Sequence, residues 1–251
     1  MATYEGTNGH GSNGISPKIT LYTNHGCPFA HRAHIALKEL GLPYEEVIID
    51  LDKPREPWYL DINPRGLVPS ITYSNGLLDN EIITESAIVA QFLADARPSH
   101  LLPASLSSPT APLVRARIAF FVDTWNTKVQ GFLYPAMKAE GREKEEKCEV
   151  CVGVIEKEIE PLLEGAGPFF GGSEEMTLAE VNVAPFLLRM YAFSEGELLP
   201  TSFKASLQKL PNFSKWADAV LKKESVTYIW DEENVISRTK RRVAQMKTQA
   251  K

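Results

Sequence analysis

The spacing of hydrophobic residues changes once along this chain, and the change divides the chain into two different parts. In the first part, short β-type runs at 18–24 and 44–50 flank a segment, 27–41, whose apolar residues recur at helical spacing. Strand, helix and strand in this order are the pattern of a parallel crossover unit. This part of the chain therefore predicts a small sheet packed with helices.

Sequence signals further along the chain predict two more strands for this sheet. A Pro-rich loop at 53–66 leads to a strand at about 68–73, a hairpin turn at Asn75-Gly76 and a short strand near 77–79. A helix then covers about 85–96. Beyond a proline-containing stretch, the spacing is helical throughout. We therefore expect a flexible tail at 1–17, a sheet-containing domain at 18–97, a linker at 98–112, an all-helical domain at 113–235 and a basic, fraying tail at 236–251.

The composition is that of an ordinary folded protein. Hydrophobic residues make up 43% of the chain and charged residues 24%, which argues against a disordered chain. The formal net charge of −5 lacks the basic excess of nucleic-acid binders, and no apolar run approaches the roughly 20 residues that span a bilayer. No secretory signal is visible, and three cysteines are too few for a disulfide scaffold. We expect a cytoplasmic protein with no nucleic-acid or membrane partner.

Cys27 is the residue that most strongly indicates chemistry. It lies between a predicted strand and a predicted helix, directly before Pro28, and the free amides at a helix N-terminus favour a thiolate. Dithiol redox proteins carry Cys-x-x-Cys here, but this chain has Ala30 at the second position. A disulfide formed at Cys27 must then be resolved by an outside thiol. The alternative is a small buried hydrophobe, which is common for a free cysteine.

The remaining candidate ligands and thiols are expected to be structural. Cys148 and Cys151 are spaced as Cys-x-x-Cys, but they fall in the apolar stripe of a predicted helix without the further ligands that a zinc site needs. We expect both to pack in the core. His31 and His34 flank Arg32 with no carboxylate in an evident ligand spacing. We expect these histidines to be solvated or paired, and we expect no metal site.

Two short motifs are candidates for ligand contacts. Val68-Pro69 begins a strand, where a fixed bend would free the Val68 backbone to pair with an extended peptide; an ordinary edge proline fits equally well. Ser86 opens a helix, where it can cap that helix or hold a ligand carboxylate, while Glu85 can accept from a ligand ammonium. The residues alone leave these alternatives open.

Four segments together resemble the glutathione transferase superfamily, most closely its omega-like class with a cysteine active site. They are LYTNHGCPFAHR (21–32), WYLDINPRGLVPSI (58–71), the Glu85-Ser86 pair with its helix, and FFGGSEEMTLAEVNVAPFLLRM (169–190). The likeness covers about residues 18–235. Its last segment holds a capping box of Thr177 and Glu180; the family usually has Asp at the second position, but the longer carboxylate can still close the box.

This resemblance implies an α+β fold and a set of contacts. A thioredoxin-like N-terminal domain with a mixed sheet of the βαβαββα type would precede an all-α C-terminal domain, normally in a homodimer. Glutathione, the co-substrate, would lie along the first domain with its sulfur facing Cys27. The other implied glutathione contacts are Phe29, Arg55 or its competitor Lys53, the Val68 backbone beside a cis Pro69, Glu85 and Ser86. A small electrophilic or disulfide substrate would enter near Trp125 and Arg189.

The implied activity is that of a glutathione transferase acting as a thioltransferase or dehydroascorbate reductase, in redox chemistry or detoxification and without a metal. The Cys27 thiolate would attack an oxidised substrate, form a mixed disulfide with glutathione, and be released by a second glutathione. One alternative is a transferase that conjugates glutathione to small electrophiles, with Tyr22 or Thr23 stabilising the glutathione thiolate. Another is a non-catalytic binding or assembly module with the same fold.

Overall fold

A four-stranded mixed sheet forms the first part of the molecule in the computed structural model, which describes residues 16–249. The strand order is β2-β1-β3-β4, with β1 and β2 parallel and the other neighbours antiparallel. The parallel pair is the predicted crossover, and the Asn75-Gly76 turn joins β3 to β4. The strands are β1 (Lys18–Thr23), β2 (Glu45–Ile48), β3 (Ser70–Asn75) and β4 (Leu78–Thr84).

Three helices belong to this sheet: α1 (Pro28–Glu39), α2 (Pro57–Ile62) and α3 (Ser86–Asp95). α1 and α3 pack against each other and bury apolar residues that share a core with Leu21 and Ile71 of the sheet. α2 lies inside the predicted Pro-rich loop and was not predicted. Its Pro57 suits a first helical turn, and its buried Tyr59 donates a hydrogen bond of 2.6 Å to the Leu67 carbonyl. This short helix therefore fixes the chain that leads into β3.

The second part is helical. Its central helix, α7, is buried along almost its whole length and packs against α1, α3, α4, α8 and α9. A π-helical turn at Trp125–Val129 follows α4. The helices are α4 (Ala111–Thr124), α5 (Leu133–Lys138), α6 (Gly141–Glu158), α7 (Leu178–Glu195), α8 (Thr201–Leu207), α9 (Pro211–Leu221), α10 (Glu224–Thr227) and α11 (Glu232–Gln249).

The predicted capping box at the start of α7 is present, and its carboxylate does more than cap. Oε2 of Glu180 accepts from the backbone amide and the hydroxyl of Thr177, both at 2.8 Å. Oε1 accepts from the Phe170 amide at 2.8 Å and from the indole of Trp216 at 2.7 Å. This fully buried group thus joins α7 to α9 and to the segment before α7.

The end of the described chain differs from the prediction. Residues 236–249, predicted as part of a basic tail, form most of α11. The helix is held because Val235 and Val243 are buried in the core and because Arg238 donates to Asn24 Oδ1 and Asp52 Oδ2, both at 3.1 Å. Most of the predicted tail at 1–17 lies outside the described residues. Within residues 16–249, no helix combines the length and the apolar character that crossing a bilayer requires.

Candidate active site

Cys27 occupies the N-cap position of α1 and is partly exposed. The turn that presents it is fixed by Asn24, whose side chain donates to the Ile49 carbonyl at 2.9 Å and accepts from the Gly26 amide at 3.1 Å. The Cys27 sulfur lies 4.0 Å from the Val68 carbonyl oxygen. The thiol therefore lies at the positive end of the α1 dipole, beside the start of β3.

Two buried arginines place positive charge near this thiol. Arg32 donates to the Asn182 carbonyl at 2.9 Å and to Ser86 Oγ at 3.2 Å, and Arg189 donates to the Gly26 carbonyl at 3.0 Å. Burial lowers the pKa of each guanidinium to about 10, although attraction to Cys27 opposes that shift. Both stay protonated at neutral pH. Among the described residues, neither forms an ion pair with a carboxylate that would neutralise it.

The other two cysteines are buried in α6, as expected. Cys148 and Cys151 are 3% and 2% exposed. Burial raises the pKa of the Cys148 thiol to about 11 and that of Cys151 to about 12. Both are therefore protonated at neutral pH and shielded from reagents in solvent, so Cys27 alone combines exposure with a helix N-terminus.

A cleft of about 900 Å³ opens beside Cys27. It brings together most of the residues that the family resemblance assigns to glutathione: Phe29, Arg55, Val68, Pro69, Glu85 and Ser86. Lys53 is not among the described residues that line it; its ammonium lies 3.2 Å from Asp50 Oδ2 on the exposed side of the loop. Of the two competing cations, the structure therefore brings Arg55 to the cleft.

Arg55 also shapes the loop that carries it. Its guanidinium donates to the Gly66 carbonyl at 2.8 Å and to the Asp50 carbonyl at 2.7 Å. Gly66 has a φ of +63°, and a Cβ there would lie 2.9 Å from Arg55 Cγ. The glycine of the NPRG sequence is thus required both by its backbone conformation and by the close approach of this arginine.

For Val68-Pro69 and Glu85-Ser86, the sequence left ligand contact and a purely structural role open, and the structure gives the backbone conformation of each motif. The Val68-Pro69 peptide bond is cis. Ser86 makes no capping bond, because Glu85 occupies the N-cap position of α3 and no side-chain cap is formed there. Glu85 has a φ of +69°, a left-handed conformation that a glutamate rarely adopts and that clusters at functional sites. These observations favour ligand contact over capping for the pair.

The wall of the cleft opposite these residues was not predicted from the sequence. It is formed by Tyr134 of α5 and by one face of α11, comprising Val235, Arg238, Thr239, Arg241, Arg242 and Gln245. Spacings of three and four residues within this set are helical and could have revealed the face. The prediction of a fraying tail hid that signal.

The predicted second-substrate residues are not on that wall. Trp125 is fully buried in the helical core, and Arg189 is 4% exposed and lies behind Gly26. Neither belongs to the described residues that line the cleft. Trp125 is the first residue of the π-helical turn, and its side chain is buried there together with that of Val129.

His31 and His34 were expected to be solvated or paired, and neither is solvated. They are 1% and 0% exposed, because α1 packs against α3, α7 and α10. His34 is paired, with Thr23 at 2.8 Å and Tyr44 at 3.0 Å. Burial, helped by His25, lowers the pKa of His34 to about 3, and burial with nearby Arg189 holds the pKa of His31 well below its usual value. Both rings are neutral at physiological pH.

The fold and this site together match known proteins. Residues 26–96 match the family described as Glutathione S-transferase, N-terminal domain. The chain is similar to Glutathione S-transferase omega-1 of Mus musculus, with 27% identity over 76% of this chain and 74% of that protein. It is similar to a protein of Oryza sativa subsp. japonica named Probable glutathione S-transferase DHAR1, cytosolic, with 26% identity over 79% and 81%.

A solved structure of a glutathione transferase is also similar to this chain. Glutathione transferase Omega 2C from Trametes versicolor is 30% identical, with a TM-score of 0.76 over 90% of this chain and 99% of that one. The chain belongs to the glutathione transferase superfamily and resembles its omega class. A thioredoxin-like part carrying Cys27, followed by a helical part, is the fold that this membership predicts.

Proposed function

We propose that this protein is a glutathione-dependent thiol transferase or reductase that works through a Cys27–glutathione mixed disulfide. The observation that carries the proposal is one partly exposed thiol at a helix N-terminus, open to a cleft, with Ala30 where a resolving cysteine would be. The omega-class and DHAR names of similar proteins support it. The test is glutathione-linked reduction of a small mixed disulfide or of dehydroascorbate; no turnover of either would contradict it.

The proposed reaction has two exchange steps. The Cys27 thiolate attacks the glutathione sulfur of a mixed disulfide, so that the Cys27–glutathione bond forms, the substrate disulfide breaks and the leaving thiolate takes a proton. The thiolate of a second glutathione then attacks the glutathione sulfur of the enzyme adduct. This step releases oxidised glutathione and restores the Cys27 thiolate. Arg32 and Arg189 provide positive charge beside the sulfur that is anionic at the start and the end of each cycle.

We propose that glutathione lies along the wall formed by the sheet-containing part. The Val68 amide donates no hydrogen bond within the described residues and is suited to pair with the cysteinyl unit. Ser86 and the amides at the start of α3 would hold the γ-glutamyl carboxylate, and Glu85 would accept from its ammonium. Arg55 would meet the glycyl carboxylate, with Phe29 lining the pocket.

The charge of the cleft supports an anionic ligand. Its described lining holds four arginines and two acids, whereas the whole chain has a net charge of −5. Arg242 and Arg241 on α11 lie on the wall opposite the proposed glutathione contacts. A small substrate disulfide that carries a carboxylate would suit this wall.

Substituting Glu85 with glutamine tests the proposed ammonium contact. We expect a rise in the KM for glutathione of about 10-fold or more, because a hydrogen bond to a charged partner is worth roughly 1.5–3 kcal/mol. The control is Glu81→Gln, an exposed glutamate on β4 outside the described cleft lining. Steady-state kinetics with varied glutathione provide the measurement. An unchanged KM in Glu85→Gln would refute the contact.

The conjugating alternative gains no support from the two hydroxyls considered for it. Thr23 is fully buried and bound to His34, and the ring of Tyr22 packs against Trp58 and Tyr59. Neither is among the described residues that line the cleft. The Cys27 thiol, which does line the cleft, is the side chain proposed to meet the glutathione sulfur.

We also propose a homodimer in the cytoplasm. Exposed apolar side chains on three adjoining elements, Ile82 on β4, Ile88 on α3 and Phe120 on α4, support an interface there. Light scattering should give about twice the chain mass of 27.9 kDa, and a value near 27.9 kDa would exclude the dimer.

The cytosolic name of the rice relative supports the proposed cytoplasmic location, which cell fractionation would test.

A further inference from the structure

Three potential metal ligands meet on the side of α1 that faces β2. They are His25 in the turn before Cys27, His34 on α1 and Glu46 on β2. The Nε2 atom of His25 lies 2.5 Å from Glu46 Oε1, and the Nε2 atom of His34 lies 3.6 Å from the same oxygen. All three ligand atoms fall within 4.8 Å of one another. The sequence could not show this cluster, because Glu46 comes from a neighbouring strand.

These distances are close to those of an occupied zinc site. Zinc bonds of about 2.0–2.1 Å in tetrahedral geometry place ligand atoms about 3.3 Å apart. The His34–Glu46 distance of 3.6 Å is already near that value, and the His25–Glu46 distance must widen by less than 1 Å. Both side chains that must adjust are partly exposed, at 44% for His25 and 33% for Glu46. Two of the three ligands are therefore open to solvent, whereas the His34 side chain is buried.

The buried ligand is oriented by a second set of contacts. His34 Nδ1 lies 3.0 Å from the Tyr44 hydroxyl, which lies 3.1 Å from the hydroxyl of Tyr228. With its Nδ1 proton donated to Tyr44, the ring carries its lone pair on Nε2, the atom that lies 3.6 Å from Glu46 Oε1. The Thr23 hydroxyl, 2.8 Å from Nε2, must rotate away when an ion binds. Metal-binding histidines are characteristically held through the other ring nitrogen in this way.

We propose that His25, His34 and Glu46 bind a Zn²⁺ ion and leave its fourth position open to solvent. Two imidazoles and one carboxylate suit zinc, whereas Mg²⁺ prefers an octahedral set of oxygens. His25 lies in the turn that presents Cys27 and Glu46 lies on β2, so the bound ion would tie that turn to β2.

The test is calorimetric titration of the full chain with Zn²⁺. Cys27→Ser is the parent in every titration, so that the exposed thiol cannot bind the ion itself. We expect one saturable Zn²⁺ site in the parent and none for Mg²⁺. His25→Ala and Glu46→Gln, both at partly exposed positions, should each weaken Zn²⁺ binding by at least about 10-fold, the smallest effect usual for disturbing such a site.

The matched control is His100→Ala. His100 Nε2 lies 3.0 Å from Glu39 Oε2, and among the described residues no third ligand converges on this histidine–carboxylate pair. The control should bind Zn²⁺ as the parent does. Absence of saturable binding in the parent, or equal affinity in the parent, His25→Ala and Glu46→Gln, would overturn the proposal, as would a loss confined to His100→Ala.

Discussion

Replacing Cys27 with alanine should lower glutathione-linked reduction of a small mixed disulfide by at least about 100-fold, because the substitution removes the atom that forms the covalent intermediate. Coupled kinetics at saturating glutathione measure the change. Alanine is a small apolar side chain that fits the partly exposed N-cap position, where the thiol makes no capping bond. We therefore expect the variant to fold and to retain glutathione binding.

The control for this result is Cys148→Ala, which removes a thiol from the buried face of α6. This variant should keep the kcat of the natural protein per folded molecule, even if its stability falls slightly. Full activity in Cys27→Ala would show that the mixed disulfide is not on the path. An increase in activity of Cys27→Ser toward a chlorinated aromatic acceptor would instead favour conjugation by the glutathione thiolate.

Glu180→Ala should lower the free energy of unfolding by about 4 kcal/mol, the largest stability effect expected for one residue here. The carboxylate accepts four hydrogen bonds, and its loss strands the buried donors of Phe170, Thr177 and Trp216. Denaturation by urea, followed by circular dichroism, measures the change.

A graded series separates the capping role of Glu180 from its bridging role. Glu180→Asp should cost about 2 kcal/mol, because the shorter side chain keeps the bonds to Thr177 but cannot also reach both Trp216 and Phe170. Glu174→Ala, at an exposed position just before the helix, should cost almost nothing. Equal stabilities of Glu180→Ala and Glu174→Ala would mean that the buried network is not a determinant of stability.

Features encoded by neighbouring residues were predictable from the sequence. The start of α1 at Pro28, the turn at Asn75-Gly76 and the capping box of Thr177 with Glu180 each depend on a few adjacent side chains. The reactive position of Cys27 follows from the same local logic, since a strand, a cysteine and a proline in succession define a helix N-terminus.

Features that depend on distant packing were not predictable in the same way. The basic end of the chain becomes an ordered wall of the cleft because Arg238 reaches Asn24 and Asp52, more than 180 positions away. His34 is buried because helices from the second part cover α1. Glu180 was predicted as a cap, but its bond to Trp216 appears only once α9 packs beside α7.

The intact mass of the protein after incubation with oxidised glutathione is the sharpest test of the proposed Cys27–glutathione disulfide. We expect one added glutathione per chain, mapped to Cys27, removed by reduced glutathione and absent from Cys27→Ala. Burial predicts no label on Cys148 or Cys151. A protein that takes up no glutathione, or that carries it on Cys148 or Cys151 with Cys27 unmodified, would contradict the proposed mechanism.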